Sequence, residues 1–160
     1  MSDLGSALFV WVHGAYKASR QVLRSSTENF FKAVGSLDSA EISKLKNTYE
    51  LINLVRQAEF FQKGENLWMY TSLKQVYKML CADVHTATIQ QMSHISALGY
   101  FPNFSLQEAV KFEQMFLRVT RVYASTLCLM FRSNFERMHF KNRDIISPAL
   151  TKEVRRRLHE

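Results

Sequence analysis

The chain has 160 residues, 47% apolar and 22% charged, with only five glycines and two prolines. That length makes one domain whose core needs no staples, and that composition excludes both a disordered chain and a turn-rich sandwich or barrel. The formal charge of +7 points to anionic partners, and no apolar run approaches the ~20 residues of a membrane span.

The apolar pattern is helical almost throughout. A first helix is predicted from about Asp3 to Arg24, with Leu4, Leu8, Trp11, Val12, Ala15, Val22 and Leu23 inward. The stretch SSTENFFKAVGS follows as a cap and short helix, which Gly35 ends in the left-handed conformation. Asp38 and Glu41 make a box-like start for a helix to about Lys63, stopped by Gly64. Two apolar stripes run along it, Ile42-Leu45-Tyr49-Ile52-Val55 and Leu51-Leu54-Ala58-Phe61, as in a helix buried between two neighbours.

Asn66 caps the next helix, in which Leu73, Tyr77, Leu80 and Val84 line one face. A break is expected near Asp83 to Thr88, and the continuation carries Ile89, Met92 and Ile95 until Gly99 stops it. Pro102 makes YFPNFS a loop, after which Ser105 and Glu108 form a capping box for the longest helix, about 106–140. Its inward stripe is Ala109, Phe112, Phe116, Val119, Tyr123, Leu127 and Met130. Ser147 as N-cap and Pro148 at the first helical position open a basic C-terminal helix, about 148–159. The expected fold is all-α: a single domain over residues 1–160, a compact bundle of five to seven mostly antiparallel helices.

Cys81 and Cys128 lie in apolar helical text without CxxC spacing, so they are read as core thiols, with a single disulfide between them left open. The run ALFVWV is too short for a signal peptide and follows Asp3, so an intracellular location, cytoplasmic or nuclear, is expected. His13, His85, His94, His139 and His159 include no i, i+4 pair, so no metal site is predicted. Neither a glycine-rich phosphate cradle nor a G-x-S-x-G elbow occurs, and no cofactor is expected.

The charge is unevenly spread. Residues 81–110 contain no lysine or arginine, whereas from Lys111 to Arg157 eleven basic residues stand against four acidic ones. Counting in sevens from Lys111 gives Arg118, Ser125, Arg132 and His139, a line that drifts by only ~20° per step on an ideal helix. Arg121 lies beside that line, Arg137, Lys141 and Arg143 extend it, and Arg155, Arg156 and Arg157 follow on the next helix. A folded monomer gains nothing from gathering like charges; a polyanionic partner relieves the repulsion.

The expected function is therefore non-catalytic binding of nucleic acid, RNA favoured over DNA, with little sequence preference. Lys111, Arg118, Arg121, Arg132, Arg137, Lys141, Arg143, Arg155, Arg156 and Arg157 are the candidate phosphate contacts. Phe135 and Phe140 are candidates for stacking on bases, weighed against a place in the core. An acidic protein surface would satisfy the same charges. The alternative is a helical protein-interaction module, an adaptor or regulator that takes a partner helix in an apolar groove or forms a homo-oligomer. Its support is the bulky apolar side chains that FVWV, EFFQ, LWMY and GYFPNF place on more than one helix face.

Arg132 and His139 also form an R-x6-H pair. The spacing is similar to the R-x4-6-H motif of the HEPN family, helical ribonucleases in which such an arginine and histidine serve 2′-hydroxyl chemistry, usually across a dimer. The resemblance implies a catalytic pair on one face of one helix; it covers one motif, not the chain, and Ser133 departs from the asparagine often found after the arginine. With eleven arginines and five histidines in the chain, about one such match arises by chance. No catalytic residue is assigned on it, and the expectation leans away from an enzyme.

Overall fold

A computed structural model describes residues 2–84 and 104–160, which contain nine α-helices, three 3₁₀ turns and no strand. The continuation past Val84, with its break, its stripe of Ile89, Met92 and Ile95 and its stop at Gly99, lies outside the described residues, as do His85, His94 and Pro102.

The fold is all-α, and more finely divided than the five to seven helices expected. The first division falls at Gly14, between α1 (Ser2–Val12) and α2 (Tyr16–Gly35). Gly14 has φ 75°, its N–H donates to Trp11 O at 2.9 Å, and the Ala15 N–H reaches Val10 O at 3.2 Å. Those two bonds make a Schellman turn, so the chain reverses where one continuous helix was expected. α1 packs back on α2 and buries Ala7, while Leu8 and Val12, expected inward, lie on its outer side.

α2 runs past Arg24 because its hydroxyls are absorbed rather than capping a new helix. Thr27 Oγ1 donates to Leu23 O at 3.0 Å, and Ser26 Oγ lies 3.3 Å from the Tyr123 hydroxyl. Gly35 is not a left-handed exit, since Gly14 alone has positive φ among the described residues. It is needed for space: a Cβ there would come within 2.8 Å of Val55 Cγ2.

The single helix predicted up to Lys63 becomes a 3₁₀ turn (Ala40–Lys44), α3 (Thr48–Val55) and α4 (Glu59–Gln62). Asn47 starts α3 by accepting the Tyr49 and Glu50 N–H groups at 3.0 and 3.3 Å. Asp38 makes no box with Glu41; its carboxylate accepts the Glu59 N–H at 2.6 Å and caps α4. Leu51, Ile52, Val55, Ala58 and Phe61 are buried, while Tyr49 and Leu54 turn outward with the broken register. Asn66, expected as a cap, is buried in the 3₁₀ turn Gly64–Asn66, where its Nδ2 donates to Phe60 O at 2.8 Å.

The core lies where α2, α5 (Leu67–Val84) and α6 (Leu106–Met130) pack on one another. Contacts fix their directions. Arg24 meets Tyr77 and Phe31 meets Tyr70, so α5 is antiparallel to α2; Arg118 meets Gln75 and Thr126 meets Met69, so α5 is antiparallel to α6 as well. Arg20 meets Glu108 and Phe30 stacks on Tyr123, so α2 and α6 run parallel. Leu23, Phe31, Leu73, Val76, Leu80, Phe112, Val119 and Val122 close the interior; complete burial of such side chains is worth ~1.5–3 kcal/mol each.

Ser105 caps α6 as expected, accepting the Glu108 N–H at 3.4 Å. The Glu108 carboxylate does not return to Ser105 but pairs with the buried Arg20, and the Ser105 N–H donates to the Tyr16 hydroxyl at 3.1 Å. Cys81 and Cys128 are both free thiols.

The longest helix stops at Met130, ten residues short of its expected end. Beyond it come α7 (Arg132–Arg137), α8 (Phe140–Ile146), a 3₁₀ turn (Ser147–Ala149) and α9 (Lys152–His159). Phe135 supplies the physical reason. At 100° per residue, a straight helix would carry it about 180° from Thr126, which faces Met69, and so away from the core shared with α5. With the bend at Phe131 (φ −114°, ψ 46°), Phe135 is buried instead. Ser147 closes α8, its Oγ donating to Arg143 O at 2.7 Å, and the cap of α9 is Thr151, which accepts the Val154 N–H at 3.2 Å.

Candidate nucleic-acid interface

The stripe counted in sevens does not survive on α6. Ser125 is fully buried, and its Oγ has no hydrogen-bond partner among the described residues. Two neighbours, α2 and α5, flank α6, so more of its circumference is covered than a single apolar stripe would require. Lys111 and Arg121 are exposed on this helix, whereas Arg118 is half-buried against α5, donating to Ser72 Oγ at 3.4 Å and to Gln75 Oε1.

Other candidates are paired with acids. Arg132 Nε donates to Glu136 at 2.7 Å, and Arg156 lies 2.7 Å from Glu153 and 3.5 Å from Glu160. Arg157 reaches Glu65 at 3.1 Å and donates to Asn66 Oδ1 at 2.8 Å, bracing α9 against the turn before α5. Exposed pairs such as those of Arg132 and Arg156 are worth ~0–1 kcal/mol and exchange readily for a phosphate.

Arg121, Arg137, Lys141, Arg143 and Arg155 have no side-chain partner among the described residues, and neither does Lys152, which the charge pattern did not single out. The signal for Lys152 is the placement of Val154 and Leu158, both buried by α9 packing on α6. With those two inward, 100° per residue puts Lys152, Arg156 and His159 on the outward side and Arg155 on the half-buried flank.

The two aromatic candidates separate cleanly. Phe135 belongs to the core, while Phe140 is 56% exposed at the start of α8. Its ring lies against the His139 imidazole, centroids 4.5 Å apart at 33°. His139 is the N-cap of α8, and its Nδ1 accepts the Lys141 N–H at 3.3 Å, so the ring proton of the neutral imidazole sits on Nε2. Arg137 precedes the pair, and Lys141 and Arg143 follow it. No side chain of α8 is fully buried, though Ile146 at its end packs partly against the core.

Arg132 and His139 do not share a helix, contrary to the arrangement that the R-x6-H spacing implied: one opens α7 and the other caps α8. A polar cluster joins α2 to α5, where the Tyr77 hydroxyl donates to Glu28 at 2.8 Å and accepts from Arg24 at 3.2 Å. Burial pushes the Tyr77 phenol up, the opposite of what an activated nucleophile requires. Among the described residues, no three His, Cys, Asp or Glu side chains gather as metal ligands.

Two concavities among the described residues bear on binding. One, of about 480 Å³, is lined by Lys63, Arg132 and Arg157 but also by Asp38, Glu59, Glu65 and Glu160, so its charges nearly cancel. The other, of about 430 Å³, is an apolar groove between α1, α2 and the end of α6, walled by Leu4, Phe30, Val34, Leu37, Leu127 and Phe131.

No described helix is long and apolar enough to cross a membrane. The chain matches no protein-family model, no curated protein and no solved structure.

Proposed function

We propose that the protein is a non-catalytic helical binding protein that holds nucleic acid, RNA in preference to DNA, through the basic side chains of its last third. The observation that supports this reading is the set of six cations, Arg121, Arg137, Lys141, Arg143, Lys152 and Arg155, that have no partner among the described residues. Five of the six lie on α7, α8 and α9, short elements outside the three-helix core. Phosphates neutralise such charges with release of counterions, which gives affinity with little sequence preference and a steep dependence on salt. RNA is favoured because its loops and ends present unpaired bases to exposed aromatic side chains.

The test is fluorescence anisotropy with mixed-sequence RNA across a salt series. Arg137→Glu with Arg143→Glu lowers affinity and flattens the plot of log affinity against log salt by roughly 0.7 per lost phosphate contact. The helical circular dichroism stays unchanged. Unaltered retention of RNA by this variant overturns the reading.

The apolar groove favours a second reading, a protein-interaction module that takes a partner helix or a second copy of the chain there. Leu127→Glu with Phe131→Glu would then dissolve a dimer seen by light scattering and leave RNA retention as it was.

A further inference from the structure

Resting on that reading, we infer that His139 and Phe140 form a stacking shelf for an unpaired base. Single strands are then the substrate class, and duplexes are held by charge alone. A solitary exposed phenyl group is ordinary on a protein surface and would carry nothing. Three features set this one apart.

The ring does not anchor the fold: Phe140 is exposed, and the contact of α8 with the core is made by Ile146 at its other end. The phenyl group lies on a second ring, His139, which is oriented by accepting the Lys141 backbone N–H at Nδ1. Cations flank the pair on both sides: Lys141 and Arg143 follow Phe140 within a rise of about 4.5 Å along the helix axis, and Arg137 ends the preceding helix.

Charge complementarity selects the occupant. An apolar or basic partner helix would bring no anion to Arg137, Lys141 and Arg143, which have no side-chain partner among the described residues. A nucleic-acid strand supplies both halves, phosphates for the cations and a π-face for the shelf. In a duplex each base face is already stacked on its neighbour, so only an unpaired base can use Phe140. The Nε2–H of His139 adds a donor at the shelf edge for a base or a 2′-hydroxyl oxygen.

Labelled oligouridine and an RNA duplex of the same length, titrated against the full chain and three variants, test this. Phe140→Leu keeps an apolar side chain and removes the aromatic face; it weakens single-strand binding by about tenfold, the order of one lost base stack, and leaves duplex binding unchanged. Phe140→Trp restores single-strand affinity, which a merely structural role for the residue would not predict. Arg137→Glu with Arg143→Glu weakens both ligands. If Phe140→Leu affects both ligands alike or neither, while the charge variant weakens both, the shelf is wrong and the basic interface stands. If the unaltered chain binds neither RNA, both fall.

Discussion

Replacing Gly35 by alanine sets two physical effects of opposite sign against each other. Gly35 ends α2 without positive φ, so helix propensity alone favours alanine by up to ~1 kcal/mol. Sterics oppose it. The new methyl would sit 2.8 Å from Val55 Cγ2 and 2.9 Å from Ile42 Cγ2, against the ~3.5–4.0 Å of ordinary carbon contacts. Val55 is fully buried, so relief requires the 3₁₀ turn and α3 to move off α2, the kind of overpacking that costs ~1–3 kcal/mol. The net expectation is a loss of ~1–2 kcal/mol, read as a lowered urea midpoint by circular dichroism. Val55→Ala alone removes two buried methyls at ~0.8 kcal/mol each, plus a cavity term. Combined with Gly35→Ala, it removes the Val55 clash and leaves only that with Ile42, so the double variant should be less destabilised than the sum of the singles by ~0.5 kcal/mol or more. An alanine variant as stable as the original chain, or strictly additive behaviour, would refute the packing argument.

Two further outcomes concern the interior. Glu108→Ala removes the carboxylate that pairs with the buried Arg20 and should cost up to ~3–5 kcal/mol in urea unfolding, while Arg20→Met with Glu108→Met recovers most of it; a loss below ~1 kcal/mol for the single change contradicts the pairing. Burial pushes the Tyr123 phenol up to about 12 from its ordinary 10.0, so the fold favours the neutral ring. That contribution is complete below pH 10 and is lost as pH rises through 12, because the native state then holds a proton that the unfolded chain has released. Tyr123→Phe should therefore lose less stability than the original chain between those values, measured by urea titration at each pH.

The helical class and most of the core were legible in the sequence, because apolar spacing reports the inward face of any helix long enough to repeat it. Phe112, Val119 and Tyr123 on α6 and Leu73 and Leu80 on α5 are buried as their spacing implied. The breaks were harder to see. Gly14 is a strong stop, but the apolar run continues on both sides of it and hides the reversal. Asn47 and Asp38 cap short helices through side-chain oxygens whose targets lie two, three or twenty-one residues on, and only the first two of those are local signals. At Phe131 neither glycine nor proline marks the bend. The site suffered from the same gap: counting along an unbroken helix placed Ser125 among the cations, while the bend moved Arg132, Arg137 and His139 off that line.

On α8 only Ile146 packs against the core, which frees the rest of that stretch of sequence from the demands of folding. Phe135 and Leu150 tether it at either end, so exchanging Phe140, Lys141, Asn142 or Ile145 should scarcely alter the free energy of the bundle. What occupies those positions answers to solvent and to whatever docks there, and drift in their chemistry would retune recognition without the molecule having to be refolded around it.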